Sequence, residues 1–440
     1  MPFFEVHGGH SLRGSIKPQG AKNEALQVIS AVLLSSEKII IKNLPNILDV
    51  RNIITLLQLI GVKVDQISEN DFSFDAGDIN LEVLYAKEFY QKATLLRGSI
   101  MLVGPLLARF GIGIIPTPGG DKIGRRRLDV HVDGFRKLGA KFSYDAVNKL
   151  YTFKADQLIG ADMLLEEASV TGTANIVMAA VLAQGKTTIY HAACEPYVQQ
   201  LCKMLNSMGA KISGIGSNLL TIEGVEQLGG TEHEILPDII EIGSFIGMAT
   251  ITQSDLTIEH IKKDALGIIP RSFEKIGVSV EFKNDNLHIP IQPHYEVEKF
   301  IDGSIMTISD GIWPALTPDL LSVFLVTAVQ GKGTVLIHQK MFESRLFFVD
   351  KLIDMGAQII LCDPHRVSVV GINHEYNLRA TKMTSPDIRA GVALLIAAMS
   401  ADGVSYIHNI DQIDRGYSNI EKRLNAVGAK IIRHETSMSE

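Results

Sequence analysis

A five-residue signature recurs six times along the 440-residue chain: a hydrophobic residue, glycine, a small residue, a variable residue and another hydrophobic residue. The copies are Ile60–Val64, Leu138–Phe142, Met208–Ile212, Ile276–Val280, Met355–Ile359 and Val427–Ile431. Their glycines, at 61, 139, 209, 277, 356 and 428, are 78, 70, 68, 79 and 72 residues apart, so the first three copies nearly reproduce the spacing of the last three. A recurring unit of this length indicates a repeated supersecondary structure, and we therefore predict a duplicated set of three repeats.

The sixth repeat shows the predicted local structure most clearly. Its pattern predicts a helix over Ala390–Ser400, a strand over Val404–Ile407, a helix over Ser418–Val427 and a strand over 429–433. The third repeat has the same order, with a helix over Ala174–Leu182, a strand over Thr187–Tyr190, a helix over Tyr197–Met208 and a strand from Lys211. Each repeat is therefore roughly βαβαββ.

The first helix of each repeat is apolar nearly all round, unlike the amphipathic helices that cover a protein surface. Such helices must be buried. Three repeats that pack these helices inward, with their sheets outside, make one globular domain, and the duplication makes two. The sequence thus predicts a two-domain α/β fold of six repeats.

Composition and charge exclude several classes of protein. The 42 basic and 49 acidic residues give a net charge of −7, so the chain has no global attraction for nucleic acid or for a membrane surface. The three cysteines, Cys194, Cys202 and Cys362, are too few for a disulfide framework or a four-ligand zinc site. Neither a signal peptide nor a membrane-spanning segment is recognisable, and we expect a cytoplasmic protein without a metal or another cofactor.

Polar and charged residues gather where the apolar helices begin. They are Lys22 and Asn23, Arg97, Ser169–Thr173, Asp238 and Glu241, Asp319, and Asp387 with Arg389. The free backbone N–H groups and the dipole at a helix start favour anions, so parallel helices would together form an anion-binding cleft. For each aspartate the alternative is plain N-capping, and for Lys22 and Arg97 it is a solvated surface cation.

The segment from Pro118 to Arg127 combines three glycines with four cations. This composition predicts a mobile loop that closes over phosphate groups, in which Asp121 could carry a proton. A flexible hairpin tip with solvated charges is the alternative. A nucleic-acid patch is disfavoured because no aromatic residue interleaves the cations.

Six motifs resemble those of a known family. They are Gly20–Asn23, Pro118–Gly120 with Ile123–Gly124, Leu236–Asp238, Thr317–Asp319, Phe342–Arg345 and Asp414–Tyr417. In these motifs the chain resembles the enolpyruvyl transferases that act on UDP-N-acetylglucosamine, and the likeness runs from Phe4 to about Ile432. The resemblance implies a two-domain inside-out α/β barrel, with residues 22–236 as one domain, 1–21 and 237–440 as the other, and the active site in the cleft between them.

The resemblance also implies a reaction. Such enzymes transfer the enolpyruvyl group of phosphoenolpyruvate to the 3-hydroxyl of UDP-N-acetylglucosamine and release phosphate, the first committed step of peptidoglycan synthesis. By this likeness Asp319 is the base that takes the hydroxyl proton, and Asp121 is the acid that protonates C3 of phosphoenolpyruvate. Lys22 and Arg415 complete the implied catalytic set, in which cations stabilise charge that moves onto phosphate.

The remaining residues are implied to bind the two substrates. Lys22, Arg126 and Arg415 would hold the phosphate of phosphoenolpyruvate, Arg345 and Arg97 would lie near its carboxylate, and Asn23 and Asp319 would meet the sugar. Arg126, Arg127, Leu128, Asp129 and Val130, with Ser169, Val170 and Thr171, would bind the uridine diphosphate. Met341 and Arg389 are also expected to bind substrate.

The chain departs from the family pattern at three places. Most members have cysteine where this chain has Asp121, and fosfomycin inactivates them by alkylating that thiolate, so we expect insensitivity here. The usual Leu-Pro-Asp-Arg reads Leu236–Ile239, which removes one cation. The usual Ser-Val-Gly-Ala-Thr reads Ser169–Thr173, with threonine at 171 in place of glycine.

Two other functions stay open. The sister transferase that acts on shikimate 3-phosphate shares the fold, but it normally has Asp-Lys-Ser where this chain has Ala21–Asn23. Six repeats could also form a ring-shaped DNA clamp. A clamp should line its hole with lysine and arginine on helices, and the repeat helices here are apolar.

Overall fold

The computed structural model describes residues 2–120, 127–343 and 345–435. Numbered along the chain, its α-helices are α1 Lys22–Ala31, α2 Leu48–Leu59, α3 Lys87–Ala93, α4 Val103–Phe110, α5 Asp129–Lys137, α6 Val170–Ala180, α7 Pro196–Ser207, α8 Ile239–Ile251, α9 Ile269–Lys275, α10 Leu321–Gln330, α11 Val349–Asp354, α12 Ile388–Ser400, α13 Asp411–Asp414 and α14 Ile420–Ala426. The strands are β1 Phe3–His7, β2 Arg13–Ile16, β3 Ile39–Lys42, β4 Lys63–Gln66, β5 Phe72–Asp75, β6 Ile112–Pro116, β7 Lys141–Asp145, β8 Leu150–Lys154, β9 Asp162–Leu164, β10 Lys186–Tyr190, β11 Lys211–Ser213, β12 Leu219–Glu223, β13 Thr231–Glu234, β14 Asp255–Ile258, β15 Glu281–Lys283, β16 Asn286–Ile289, β17 Met306–Ser309, β18 Lys332–His338, β19 Gln358–Asp363, β20 Arg366–Ile372, β21 Lys382–Thr384, β22 Val404–His408 and β23 Lys430–His434.

Contacts between residues divide the described chain into two compact units. The inserted unit comprises residues 20–120 and 127–236, and the flanking unit comprises residues 2–19, 237–343 and 345–435. Each unit holds three of the six repeats and three of the described sheets. The chain therefore begins in the flanking unit, leaves it for the inserted unit and then returns.

The sheets repeat one arrangement within each unit. The strand orders are β13-β3-β5-β4, β6-β8-β7 and β11-β12-β10-β9 in the inserted unit, and β15-β16-β14-β2, β17-β18-β20-β19 and β21-β22-β1-β23 in the flanking unit. Each four-stranded sheet contains one parallel pair, and its other neighbours are antiparallel. Buried and exposed side chains alternate along strands such as β12, as expected where one face of a sheet covers a core.

The structure confirms the predicted α/β fold with buried apolar helices. Every residue of α8, α10 and α12 is buried, and these helices pack against one another in the core of the flanking unit. Helices α1, α4 and α6 contribute to the core of the inserted unit in the same way. Polar side chains inside the helices bond to the preceding turn, as where the Ser244 hydroxyl donates to the Ile240 carbonyl at 2.8 Å. No described helix is long and apolar enough to cross a membrane.

Local structure differs from the prediction in three repeats. In the third, α6 begins at Val170 and not at Ala174, because Ser169 caps it there. In the sixth, α12 begins at Ile388 because Asp387 caps it there, and the helix predicted over Ser418–Val427 is shortened to α14 and preceded by α13. In the second, a 3₁₀ helix over Arg97–Leu102 comes before α4. Pro105 lies in the first turn of α4, where its missing N–H removes no helical hydrogen bond.

Candidate active site

In the flanking unit, Asp319 lies between two arginines. It belongs to a 3₁₀ helix over Pro318–Leu320, whose start is capped by the Thr317 hydroxyl. Arg345 Nη2 lies 2.7 Å from Asp319 Oδ1, and Arg389 Nη2 lies 2.9 Å from Asp319 Oδ2. Thr317, and not Asp319, is the N-cap of this helix, so the interpretation of Asp319 as an N-cap is wrong. Both of its carboxylate oxygens accept from guanidinium groups.

Arg389 is buried at the start of α12, beside the ring of Tyr417. Its Nη1 donates to the Tyr417 hydroxyl at 3.3 Å, and that hydroxyl lies 2.9 Å from Ser244 Oγ. Burial by itself would lower the pKa of Arg389, but the facing charge of Asp319 outweighs it and raises this pKa. Burial also raises the pKa of Tyr417 to about 12. The cluster is therefore a fixed arrangement of charged Arg389 and Asp319 with a neutral tyrosine.

Arg345 lies on the loop that follows β18, and this loop is braced from within the flanking unit. Asp310 accepts from the N–H groups of Lys340 and Met341 at 2.5 and 3.3 Å. Gln339 Oε1 accepts from the backbone N–H of Arg345 at 3.2 Å. The side chain of Met341 is exposed. The Nε of Arg345 is buried and has no hydrogen-bond partner among the described residues. A buried N–H in this condition suits an oxygen of a bound ligand.

Arg415 follows the short helix α13. Its Nη1 donates to Gln412 Oε1 at 2.9 Å, whereas the neighbouring Asp414 pairs with Arg433 at 2.5 Å. Two residues further on, Tyr417 is the partner of Arg389 described above. The Asp414–Tyr417 motif thus joins the Asp319 cluster through its tyrosine.

Three other acidic residues at helix starts of the flanking unit hold the fold together. Asp238 caps α8 and Asp387 caps α12, and each carboxylate accepts two backbone N–H groups of the first turn. Glu241 is buried and pairs with Arg423 at 2.5 Å. Burial raises the pKa of Glu241 in spite of this partner. The N-capping interpretation is confirmed for Asp238 and Asp387.

In the inserted unit, Lys22 is the first residue of α1 and is buried. Its Nζ lies 2.7 Å from Oδ2 of Asp49, in the first turn of α2. The interpretation of Lys22 as a solvated surface cation is therefore wrong. Asn23, the next residue, is half-buried. The dipole of α1 disfavours a cation at this position, and the paired carboxylate of Asp49 opposes that effect.

Arg97 is half-buried at the start of the 3₁₀ helix that precedes α4. Its Nη2 lies 3.4 Å from the carbonyl oxygen of Arg127, so the two residues are neighbours. Arg127 is exposed, Leu128 is buried, and Asp129 is exposed in the first turn of α5. The structure thus places Arg97 next to Arg127, in the segment predicted to bind the uridine diphosphate.

The start of α5 packs against the start of α6. Ser169 caps α6 by accepting from the Gly172 N–H at 3.2 Å. Val130 covers the same turn, since a Cβ added to Gly172 would lie 2.6 Å from its Cγ1. Val170 and Thr171, in that turn, are half-buried. These predicted nucleotide-binding residues are therefore neighbours.

His131 belongs to this region although the sequence does not single it out. It is buried in α5, with Nε2 3.2 Å from Thr171 Oγ1 and Nδ1 3.0 Å from Asn175 Nδ2. Burial, aided by the charge of Arg97, lowers the pKa of His131 to about 3, so the imidazole is neutral near pH 7. The only sequence signal that His131 belongs to the site is its position directly after Val130, a predicted nucleotide-binding residue.

Some predictions concern residues that the structure does not describe. Asp121 and Arg126 lie outside the described residues, as does most of the predicted loop over 118–127.

Within the described ranges, no group of three or more His, Cys, Asp or Glu side chains is arranged to hold a metal ion. Cys194 and Cys202 are buried, which raises the pKa of both thiols, that of Cys202 to about 12.

Similarity to known proteins extends over almost the whole chain. The family model described as EPSP synthase (3-phosphoshikimate 1-carboxyvinyltransferase) matches residues 6–424. A Bacteroides fragilis protein named UDP-N-acetylglucosamine 1-carboxyvinyltransferase is 63% identical over 433 residues, which covers 98% of this chain and 100% of that protein. A protein of the same name from Treponema denticola is 47% identical and covers 98% of this chain and 99% of its own length.

Two solved structures have the same fold at much lower sequence identity. The enolpyruvyl transferase NikO from Streptomyces tendae superposes with a TM-score of 0.85 at 19% identity, covering 98% of this chain and 99% of that one. An EPSP synthase from Acinetobacter baumannii superposes with a TM-score of 0.74 at 16% identity, covering 99% and 100%. These two comparisons show the fold alone.

Proposed function

The chain belongs to the EPSP synthase family of enolpyruvyl transferases, and from this premise we propose that it transfers the enolpyruvyl group of phosphoenolpyruvate to the 3-hydroxyl of UDP-N-acetylglucosamine. Phosphate is released, and the product enters peptidoglycan synthesis. The observation that carries the proposal is the 63% identity, over 98% of the chain, to a relative named for this reaction. The shikimate 3-phosphate enzyme is the weaker candidate, since two solved EPSP synthase structures from Acinetobacter baumannii share only 15–16% identity with this chain.

The reaction is an addition followed by an elimination. The sugar 3-oxygen bonds to C2 of phosphoenolpyruvate, its proton passes to a base, and C3 receives a proton from an acid. The C2–O bond to phosphate then breaks while C3 loses a proton, which restores the double bond and yields inorganic phosphate. Asp319 is the proposed base and Asp121, outside the described residues, is the proposed acid.

The Asp319 cluster supports the role of a base. Its carboxylate is fixed by Arg345 at 2.7 Å and Arg389 at 2.9 Å, so its direction is set before substrate arrives. A carboxylate can accept several hydrogen bonds at once, so pairing with the two arginines does not prevent Asp319 from accepting the sugar hydroxyl. The unpartnered Nε of Arg345 offers a donor for the carboxylate of phosphoenolpyruvate.

Cations of both units are proposed to stabilise the departing phosphate. Lys22 is held rigidly by its 2.7 Å contact with Asp49, and Arg415 is anchored by Gln412 at 2.9 Å. Preorganised cations of this kind stabilise charge that develops in a transition state without a cost of reorganisation. We also propose that the two units correspond to the two substrate-binding domains that the family likeness implies, and that the protein is cytoplasmic.

Release of phosphate from phosphoenolpyruvate tests the proposal directly. Purified protein is incubated with phosphoenolpyruvate and either UDP-N-acetylglucosamine or shikimate 3-phosphate, and inorganic phosphate and the enolpyruvyl product are measured. We expect turnover only with the nucleotide sugar. Turnover with shikimate 3-phosphate alone would assign the sister activity. No turnover with either acceptor, from protein that melts cooperatively, would contradict the proposal.

A further inference from the structure

The chain of side chains from Asn175 through His131 to Thr171 has only one consistent direction of hydrogen bonding. Asn175 fixes one end of it. Its Oδ1 accepts from the Gly104 N–H at 2.7 Å, and its Nδ2 donates to the Ile100 carbonyl at 2.8 Å. A backbone N–H can only donate and a carbonyl can only accept, so the amide cannot be flipped.

The fixed amide decides which nitrogen of His131 carries the proton. Asn175 Nδ2 is a donor, so His131 Nδ1, 3.0 Å away, must be the acceptor and carries no hydrogen. The imidazole is neutral in this buried position, and its one proton therefore lies on Nε2. His131 Nε2 then donates to Thr171 Oγ1 at 3.2 Å.

Thr171 is left with a hydroxyl hydrogen to give. Thr171 Oγ1 accepts the hydrogen bond from His131. Among the described residues the Thr171 side chain has no other hydrogen-bond partner. The residue is half-buried in the first turn of α6, two residues after the capping Ser169. Ser169 takes the backbone N–H groups of Gly172 and Thr173, so the donors of that turn for an anion are the N–H groups of Val170 and Thr171. A hydroxyl that donates there adds to this set.

We propose that His131 and Asn175 are positioning residues that turn the Thr171 hydroxyl into a hydrogen-bond donor for a phosphate oxygen of the nucleotide substrate. The inference rests on the proposed function, which supplies the diphosphate. It goes beyond that function because the family likeness predicts glycine at this position, which has no side-chain donor. Thr171 would thus give this chain a diphosphate contact that glycine cannot make.

Binding of UDP to single variants tests the contact. Thr171→Val keeps the shape of the side chain and removes the hydroxyl, and we expect it to weaken UDP binding about tenfold, as for a hydrogen bond to a charged acceptor. Thr171→Ser keeps the hydroxyl and should bind UDP almost as the parent protein does. Uridine, which lacks phosphate, should not distinguish the variants. Equal UDP affinity of Thr171→Val and the parent would overturn the proposal.

The positioning role has a readout that a merely structural role would not change. The ¹⁵N shifts of the His131 ring, assigned by their loss in His131→Phe, should show the Nε2–H tautomer near pH 7. A proton on Nδ1, or a charged ring, would overturn the proposal even if a variant failed to fold. In a double-mutant cycle, His131→Phe should weaken UDP binding less in the Thr171→Val background than in the parent.

These outcomes are separable from those of the proposed function. Normal turnover with UDP-N-acetylglucosamine, together with unchanged UDP affinity of Thr171→Val, rejects only the positioning role. Absence of both turnover and UDP binding in the parent protein rejects the proposed function, and the positioning role with it.

Discussion

The two units repeat the same order of helices and sheets, but they differ in the chemistry at their helix starts. In the flanking unit Asp319 faces Arg345 and Arg389, so opposite charges meet directly. In the inserted unit the starts of α5 and α6 are joined by neutral groups, His131 and Thr171. One buried ion pair, Lys22 with Asp49, joins α1 to α2.

This difference shows what the repeat does and does not fix. The repeat fixes the backbone and the apolar face of each helix, because three helices must fill one core. The polar residues at the helix starts differ between the two units, because their partners are set by the tertiary fold and not by the repeat. Under the proposed function, one unit would supply the base Asp319 and the other a phosphate contact built from the neutral side chains of His131 and Thr171.

The largest expected effect is loss of turnover on removal of Lys22 or Arg415, and the two variants should differ in stability. Both Lys22→Ala and Arg415→Ala should lower kcat below detection, because each removes a cation proposed to hold phosphate. Lys22→Ala should also lower the free energy of unfolding by about 3 kcal/mol, because it leaves Asp49 buried without this cation. Chemical denaturation alongside the turnover assay measures both quantities. Recovery of stability without activity in Lys22→Ala/Asp49→Asn would confirm the distinction, and near-normal turnover of either single variant would contradict it.

A second comparison uses two carboxylates of the flanking unit that are each paired with arginine. Asp319→Asn should lower kcat about 10³-fold, as for loss of a general base. Glu241→Gln weakens the buried pair with Arg423 and should reduce the melting temperature while leaving kcat within a few-fold. Steady-state kinetics and thermal melts of both variants test this. Equal losses of kcat would show that the two carboxylates do not differ in function.

Asp121 is proposed as the acid of the reaction in which Asp319 is the proposed base. Asp121→Asn should lower turnover about 10²-fold, because an amide cannot transfer the proton. The parent protein should keep its activity in fosfomycin, whereas Asp121→Cys should be active and become inactivated. Mass spectrometry identifies the modified residue. An adduct on Asp121 of the parent protein, with loss of turnover, would contradict this prediction.

The smallest expected effect on turnover is at Glu195 of the inserted unit, which lies outside the proposed catalytic set. Burial raises its pKa to about 7, and Oε2 has no hydrogen-bond partner among the described residues. The folded state holds this proton where the unfolded state has lost it, so stability falls as pH rises from about 4.5 to above 7. Glu195→Gln should thus raise the free energy of unfolding by up to roughly 3 kcal/mol at pH 8 and by little at pH 5. Urea unfolding at both pH values measures it, and exposed Glu226→Gln is the matched control. The same gain for both variants would contradict the prediction.

The sequence predicts the helices and strands that follow from hydrophobic periodicity. It does not predict which side chains pair with each other through the tertiary fold. The apolar run that becomes α12 was predictable because its burial follows from its composition. N-capping also follows from local sequence, and it holds for Asp238 and Asp387. The same local pattern misassigns Asp319, because Arg345 and Arg389 reach it only through the tertiary fold.

The partners of Lys22 and His131 were beyond sequence reasoning for the same reason. Asp49 lies 27 positions from Lys22, and Asn175 lies 44 from His131, at distances no helical spacing relates. Nothing in the sequence distinguishes a buried lysine from an exposed one at a helix start. The motifs name several of these residues, but which charges pair with each other depends on the tertiary fold.

β1, the first strand of the chain, is an inner strand of a sheet whose other strands, β21, β22 and β23, are the last to be synthesised. β1 pairs Phe3 with His408 on one side and with His434 on the other. At ribosomal rates of about 5–20 residues per second, roughly 20–80 s separate the synthesis of these partners. The inserted unit draws all its sheets from its own strands and can be complete within that time. The inserted unit can therefore fold first, whereas the apolar residues of β1 have no strand partners in the nascent chain until β22 and β23 are made.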